Sequence, residues 1–256
     1  MTNSKTKTLV FANWKMNLTV GEAVKLTKSL IKPLAKVDYA EVVLIPSFTA
    51  IPSVGKVIGN KIKMGAQDIF WKDRGAFTGE ISPVDLIEAG VGFVLIGHSE
   101  RRLYLKETNA MVSAKVLSAL AHGLKPVICV GETFVEREQG IKDQVITEQV
   151  QSALRGVVLN SLSQITIAYE PVWVIGTGHA VNPDEASATA QLIKDILLKM
   201  FSSAQVNKNF KIIYGGSVDA NSVRQFVSGK IITGVLVGGA SVKSSEFISL
   251  VKELNI

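Results

Sequence analysis

Eight short apolar runs recur along the chain, each rich in β-branched or other large apolar side chains. They are "TLVFANW" from Thr8, "EVVLIP" from Glu41, "KIKMGAQ" from Lys61, "GFVLIGH" from Gly92, "PVICVGE" from Pro126, "ITIAYEP" from Ile165, "KIIYGG" from Lys211 and "TGVLVGG" from Thr233. Near-continuous hydrophobicity of this kind suits parallel strands buried on both faces. Most of the runs are separated by stretches with helical periodicity, such as 107–123 and 182–200. The first of these stops at Gly123, and the second opens on Asn182-Pro183, a cap followed by a first-turn proline. Eight strand–helix units in 256 residues match the size of a (β/α)8 barrel with parallel strands. An open doubly wound sheet is the rival α/β fold. It calls for a G-x-G-x-x-G turn after the first strand, where this chain has "NWKMN". No Pro/Gly/Ser-rich linker or low-complexity tract interrupts the rhythm, so residues 1–256 read as a single domain.

Composition excludes several classes. A hydrophobic content of 47% is ample for a core. No apolar run approaches the ~18 residues of a membrane span. The head, "MTNSKTKT", has no apolar region, so no secretory signal is expected. The lone cysteine, Cys129, cannot form an intramolecular disulfide or a cysteine-rich zinc site, and a cytoplasmic location is the simplest expectation. The net charge of +6, from 28 basic and 22 acidic residues, favours an anionic ligand. The bases are scattered and not interleaved with aromatics, so neither a nucleic-acid partner nor a membrane is expected.

In a barrel of this kind, chemistry gathers at the C-terminal ends of the strands. The polar residues there are Asn13 and Lys15 after the first run, Gln67 after the third, and His98, Ser99 and Glu100 after the fourth. Glu170 follows the sixth run, Ser217 the seventh, and Gly238-Gly239 the eighth. The set holds a candidate base, a candidate neutral donor, a cation and two glycine turns. Its three histidines, His98, His122 and His179, lack ligand spacing, so no metal is expected, and no Ser-His-Asp pattern is present. Taken singly, each residue has an ordinary structural reading. A lysine after a strand is a solvated surface group, a histidine a satisfied structural one, and a glycine pair a tight turn. Cys129 reads as a small buried hydrophobe, and the charged run 136–143 as a solvated face.

Taken jointly, "NWKMN" (13–17), "GAFTGEIS" (75–82), "GHSERR" (97–102), "AYEPVW" (168–173), "GTG" (176–178), "YGGS" (214–217) and "GGAS" (238–241) resemble the triosephosphate isomerase family, in order and over the whole chain. The resemblance implies a cofactor-independent aldose–ketose isomerase of glycolysis and gluconeogenesis. Its substrates would be dihydroxyacetone phosphate and D-glyceraldehyde 3-phosphate, interconverted through an enediol(ate). It implies Glu170 as the base and His98 as the electrophile. In this family that electrophile is a neutral imidazole at a helix N-terminus, and "SERRLY" after His98 can begin such a helix. Lys15 and Asn13 would supply positive potential and a hydrogen bond to the substrate oxygens. Gly176, Ser217, Gly238 and Gly239 would grip the phosphate through backbone N–H groups.

The stretch 168–180 then reads as a base joined to a moving cover. Pro171 restricts Glu170 to extended backbone, Ile175 and Gly176 form the tip, and closure keeps water from an intermediate that would otherwise lose phosphate. Val174, His179, Asp68 and Leu18 depart from the family pattern, which bears on the cover and on the loop around Gln67. The resemblance also implies a homodimer. The loop 71–82, with Phe77 and Thr78 on an apolar tip between Gly75 and Gly79, would dock beside the partner's Lys15 and Met16. Two alternatives share parts of this pattern. One is another phosphate-binding barrel enzyme, of an indole or pyrimidine biosynthetic kind, which would not need Lys15, His98 and Glu170 together. The other is a catalytically silent binding or adhesion barrel, whose mark would be a missing base or lysine.

Overall fold

The computed structural model describes residues 7–174 and 181–255. Among these, eight strands run β1 (Thr8–Asn13), β2 (Ala40–Ile45), β3 (Lys63–Ala66), β4 (Phe93–Ile96), β5 (Lys125–Val130), β6 (Ile165–Tyr169), β7 (Phe210–Tyr214) and β8 (Ile232–Val237). Every neighbouring pair is parallel, and β8 returns to β1 with Leu9 opposite Gly234, so the sheet closes into a barrel in sequence order. All eight apolar runs have become strands.

Alternation explains why the runs carry so few polar residues. Leu9, Phe11, Val43, Ile45, Phe93, Leu95, Val127 and Ile213 point into the barrel. The residues between them, such as Val10, Val42, Leu44 and Ile128, belong to the larger core beneath the helices. A strand with water on neither face has nowhere to place a charge.

The helices are α1 (Val20–Leu34), α2 (Ile51–Gly55), α3 (Pro83–Glu88), α4 (Ser99–Leu105), α5 (Asn109–Ala121), α6 (Phe134–Glu138), α7 (Lys142–Ala153), α8 (Pro183–Met200), α9 (Ser203–Asn209), α10 (Val223–Val227) and α11 (Ser244–Glu253). Helix α1 begins at a capping box, with the Thr19 side chain accepting from Glu22 N–H and the Glu22 carboxylate accepting from Thr19 N–H. It buries Ala23, Leu26, Thr27, Leu30 and Leu34, a single stripe at helical spacing. Helix α8 opens at the expected place, where Asn182 Oδ1 accepts from Asp184 N–H at 2.9 Å ahead of Pro183. No helix among the described residues is long and apolar enough to cross a membrane.

Two details differ from the sequence reading. Helix α5 starts at Asn109, capped by Thr108, and Glu107 lies before it with its side chain turned inward. The run 136–143 is also more than a solvated face. Arg137, in the last turn of α6, stacks on the Trp173 ring at 4.5 Å and pairs closely with Glu185.

Candidate active site

At the C-terminal end of the barrel, the strands bring Asn13, Lys15, His98, Glu170, Ser217 and Gly238 to the wall of one cavity of about 560 Å³. Glu170 follows β6 directly, and its backbone N–H extends the ladder to Val130 O at 2.7 Å. Its side chain is only 2% exposed. Two glycines make room for it. A Cβ on Gly131 would lie 1.7 Å from Glu170 O, and one on Gly215 would lie 2.8 Å from Glu170 Cγ. Neither glycine could be assigned this role from the sequence, because the crowding comes from a residue on another strand.

The Glu170 carboxylate meets the first turn of α4. Its Oε2 accepts from Ser99 N–H at 3.2 Å, and its Oε1 lies 3.4 Å from His98 Nε2. His98 is the N-cap of α4, as the "SERRLY" reading implied, and its Nδ1 accepts from Glu100 N–H at 3.3 Å. With Nδ1 used as an acceptor, the neutral ring carries its proton on Nε2, the nitrogen facing Glu170 and the cavity. Cys129 lies beneath this pair. Burial, and then the neighbouring Glu170 charge, push its thiol well above the ordinary range, so it remains a protonated core residue.

Lys15 has φ 51°, in the left-handed region that a side chain rarely occupies, at a cost of about 1–3 kcal/mol. Its backbone is held from both sides. Lys15 N–H donates to Asn13 Oδ1 at 3.1 Å, and Gln67 Nε2 donates to Lys15 O at 2.7 Å. The Nζ then reaches Glu100 Oε1 at 2.5 Å. The sequence placed Gln67 at the mouth without a role, and the structure shows it clamping the turn that aims the lysine.

The opposite wall is polar backbone. Gly215, Gly216 and Ser217 follow β7, while Gly238 and Gly239 follow β8 and lead into a 3-10 turn, Gly239–Val242. A Cβ on Gly239 would meet nothing within 4 Å, so its backbone opens to free space that a ligand can enter. Ser217 Oγ donates to Val174 O at 3.0 Å, tying this wall to the segment after Glu170. Within that segment, Trp173 Nε1 donates to Glu132 Oε1 at 2.9 Å. Gly176, Ile175 and His179 lie outside the described residues. Among the described residues, no group of three or more His, Cys, Asp or Glu side chains is placed to hold a metal ion.

The loop expected at an interface carries its apolar tip partly exposed. Phe77 is 41% exposed, but its ring rests on Phe70 at 4.8 Å, and a Cβ on Gly75 would come within 2.7 Å of that ring. Met16, beside Lys15, is 94% exposed, and Thr78 is exposed as well.

A buried carboxylate, an imidazole N–H donor and an ammonium group thus face one polar-walled cavity. That set can move a proton next to a carbonyl while stabilising charge on oxygen. The comparisons with known proteins agree with this chemistry. The sequence pattern described as "Triosephosphate isomerase" matches residues 8–254. A triosephosphate isomerase of Caldanaerobacter subterraneus subsp. tengcongensis is 46% identical over 244 residues, covering 95% of this chain and 98% of the relative. One from Thermoanaerobacter sp. is likewise 46% identical over 244 residues, at the same coverage of both chains. One from Dictyoglomus thermophilum is 43% identical over 245 residues, again covering 95% of this chain and 98% of the relative. With its closed parallel barrel and a match running from the first strand to the last helix, the chain belongs to the triosephosphate isomerase family.

Proposed function

We propose that the reaction of this family, the interconversion of dihydroxyacetone phosphate and D-glyceraldehyde 3-phosphate, runs here on Glu170, His98, Lys15 and Asn13 without a cofactor. Glu170 removes a proton from C1 of the ketose, and the electron pair moves through C2 onto the carbonyl oxygen. His98, donating through Nε2, stabilises and protonates that oxygen as the enediol(ate) forms. His98 Nε2 then takes the proton of the C1 hydroxyl while the same carboxylate returns its proton to C2, which leaves the aldehyde at C1 and restores His98. Lys15 offsets the substrate's negative charge, and Asn13, besides holding the Lys15 turn, lines the same wall. Ser217, Gly238, Gly239 and the undescribed Gly176 form the phosphate grip.

The observation that best supports this reading is the 3.4 Å approach of His98 Nε2 to Glu170 Oε1, two buried side chains at the wall of the cavity. A donor and a base that close can serve adjacent oxygen and carbon atoms of one small substrate. The test is a coupled assay with glyceraldehyde 3-phosphate in chelator-treated buffer. Isomerase turnover is expected, and no turnover would refute the proposal.

The active unit in this reading is a single-domain cytoplasmic protein acting as a homodimer. Exposed Met16 and Phe77 support the dimer, since burying them in a second copy would also cover the turn that carries Lys15. No nucleic acid or membrane takes part.

A further inference from the structure

Outside the cavity, four charged side chains form a closed ring. Lys115 Nζ donates to Asp68 Oδ1 at 2.7 Å, to Asp68 Oδ2 at 2.9 Å and to Glu107 Oε2 at 2.7 Å. Arg101 closes the circuit, with Nη2 2.7 Å from Asp68 Oδ2 and Nε donating to Glu107 Oε2 at 2.7 Å. Asp68, Glu107 and Lys115 are each at most 4% exposed. Such a ring is an expensive way to fill a core, because apolar side chains of similar volume are commonly as stable as buried ion pairs or more so. Its connections point elsewhere.

Asp68 is one peptide bond from Gln67, whose Nε2 clamps Lys15 O. Glu107 Oε1 accepts from Gly97 N–H at 3.1 Å, one peptide bond from His98. Arg101 lies in the first turn of α4, and its N–H donates to His98 O at 2.9 Å. The ring therefore ties the end of β3 to the end of β4. It does so at the two points from which Lys15 and His98 are aimed.

We infer that Asp68 is a positioning residue of the isomerase: through the ring with Arg101, Lys115 and Glu107 it fixes Gln67 and α4, and with them Lys15 and His98. The inference rests on the roles proposed above for those two residues. Asp68 does not touch the substrate. Its charge holds Arg101 and Lys115 in place, and Lys115, 1% exposed, has no water to turn to. In an Asp68→Asn protein the amide can still accept from one of the two cations. Its NH2 group faces the other, and the ring opens beside α4.

The test compares Asp68→Asn with Val116→Ala. The latter opens a cavity on the same face of α5 but belongs to neither the ring nor the site. Asp68→Asn is expected to lower kcat by about tenfold or more and to raise KM for glyceraldehyde 3-phosphate, because small displacements of catalytic groups are costly. Val116→Ala, with a comparable loss of thermal midpoint, should keep both constants within about twofold of wild type. Arg101→Lys, which keeps the charge but loses the two-pronged bridge, should show the same combined change in smaller measure. It decides the matter alone if Asp68→Asn does not fold. Near-normal constants for the folded ring variants, or equal losses in Val116→Ala, would overturn the inference. A wild type without isomerase activity would instead refute the proposed function.

Discussion

Replacing Gly215 by alanine asks how tightly the position of Glu170 is set. The new Cβ would stand 2.8 Å from Glu170 Cγ and 3.3 Å from Tyr169 O, whereas an ordinary contact is 3.4–4 Å. The two side chains must therefore part by roughly 0.6–1.2 Å. Backbone strain is not the issue, since Gly215 is not among the positive-φ glycines. The displacement falls on the Glu170 side chain, because Tyr169 O is bonded to Gly215 N at 2.7 Å and cannot yield. A misplacement near 1 Å costs on the order of 10²-fold in rate. Overpacking of this size costs about 1–3 kcal/mol of stability, or several degrees of melting temperature for a domain of this length. Gly229→Ala serves as the control, because its Cβ would meet nothing within 4 Å. Steady-state kinetics by the coupled assay and thermal melts on wild type and both variants give the comparison. The expected result is a loss of kcat near two decades in Gly215→Ala with a folded protein, and no change in Gly229→Ala. A folded Gly215→Ala enzyme with kcat within twofold of wild type would refute the claim that catalysis depends on where this carboxylate sits.

Lys15→Met should raise KM and also lower kcat, since the cation serves bound substrate and transition state alike, whereas His98→Gln should lower kcat with a smaller change in KM; identical profiles confined to KM would contradict the roles assigned. Phe77→Asp should give a monomer by sedimentation and a steep loss of activity, with a fully active monomer as the contrary outcome. Burial pushes the Asp68 carboxyl up to about 6, against the pull of Lys115, so the folded protein binds this proton more tightly than the unfolded chain does. The resulting stability is present below about pH 4 and is lost as pH rises through 6. By linkage, wild type should gain about 2 kcal/mol relative to Asp68→Asn on going from pH 7 to pH 4, and a difference independent of pH would count against it.

The barrel was legible because its strands are buried on both faces, which leaves eight apolar runs that little else explains. Helix α8 was legible at its start because Asn182 and Pro183 act locally. Other features depend on residues far away in the chain. Lys115 sits in the buried stripe of α5, where periodicity assigns an apolar residue, and its partner Asp68 is 47 positions away. Glu107 reads as the first turn of a helix because nothing local shows that its carboxylate turns inward to Gly97. Arg137 reads as one charge in a solvated run because Trp173 and Glu185 are distant in sequence. The candidate site was legible mainly as a resemblance. The identity of Lys15, His98 and Glu170 followed from motifs, but the glycine slot around Glu170 and the Gln67 clamp on Lys15 exist only after the strands close.

The central claim is that Glu170 carries the proton. The most direct measurement is kcat for Glu170→Gln beside the affinity of the same variant for a non-reacting phosphate analogue of the substrate. The amide keeps the shape of the carboxylate and cannot act as a base, so kcat should fall by roughly 10²–10⁴-fold or more while the analogue still binds. Turnover close to that of wild type in the folded variant would contradict the account.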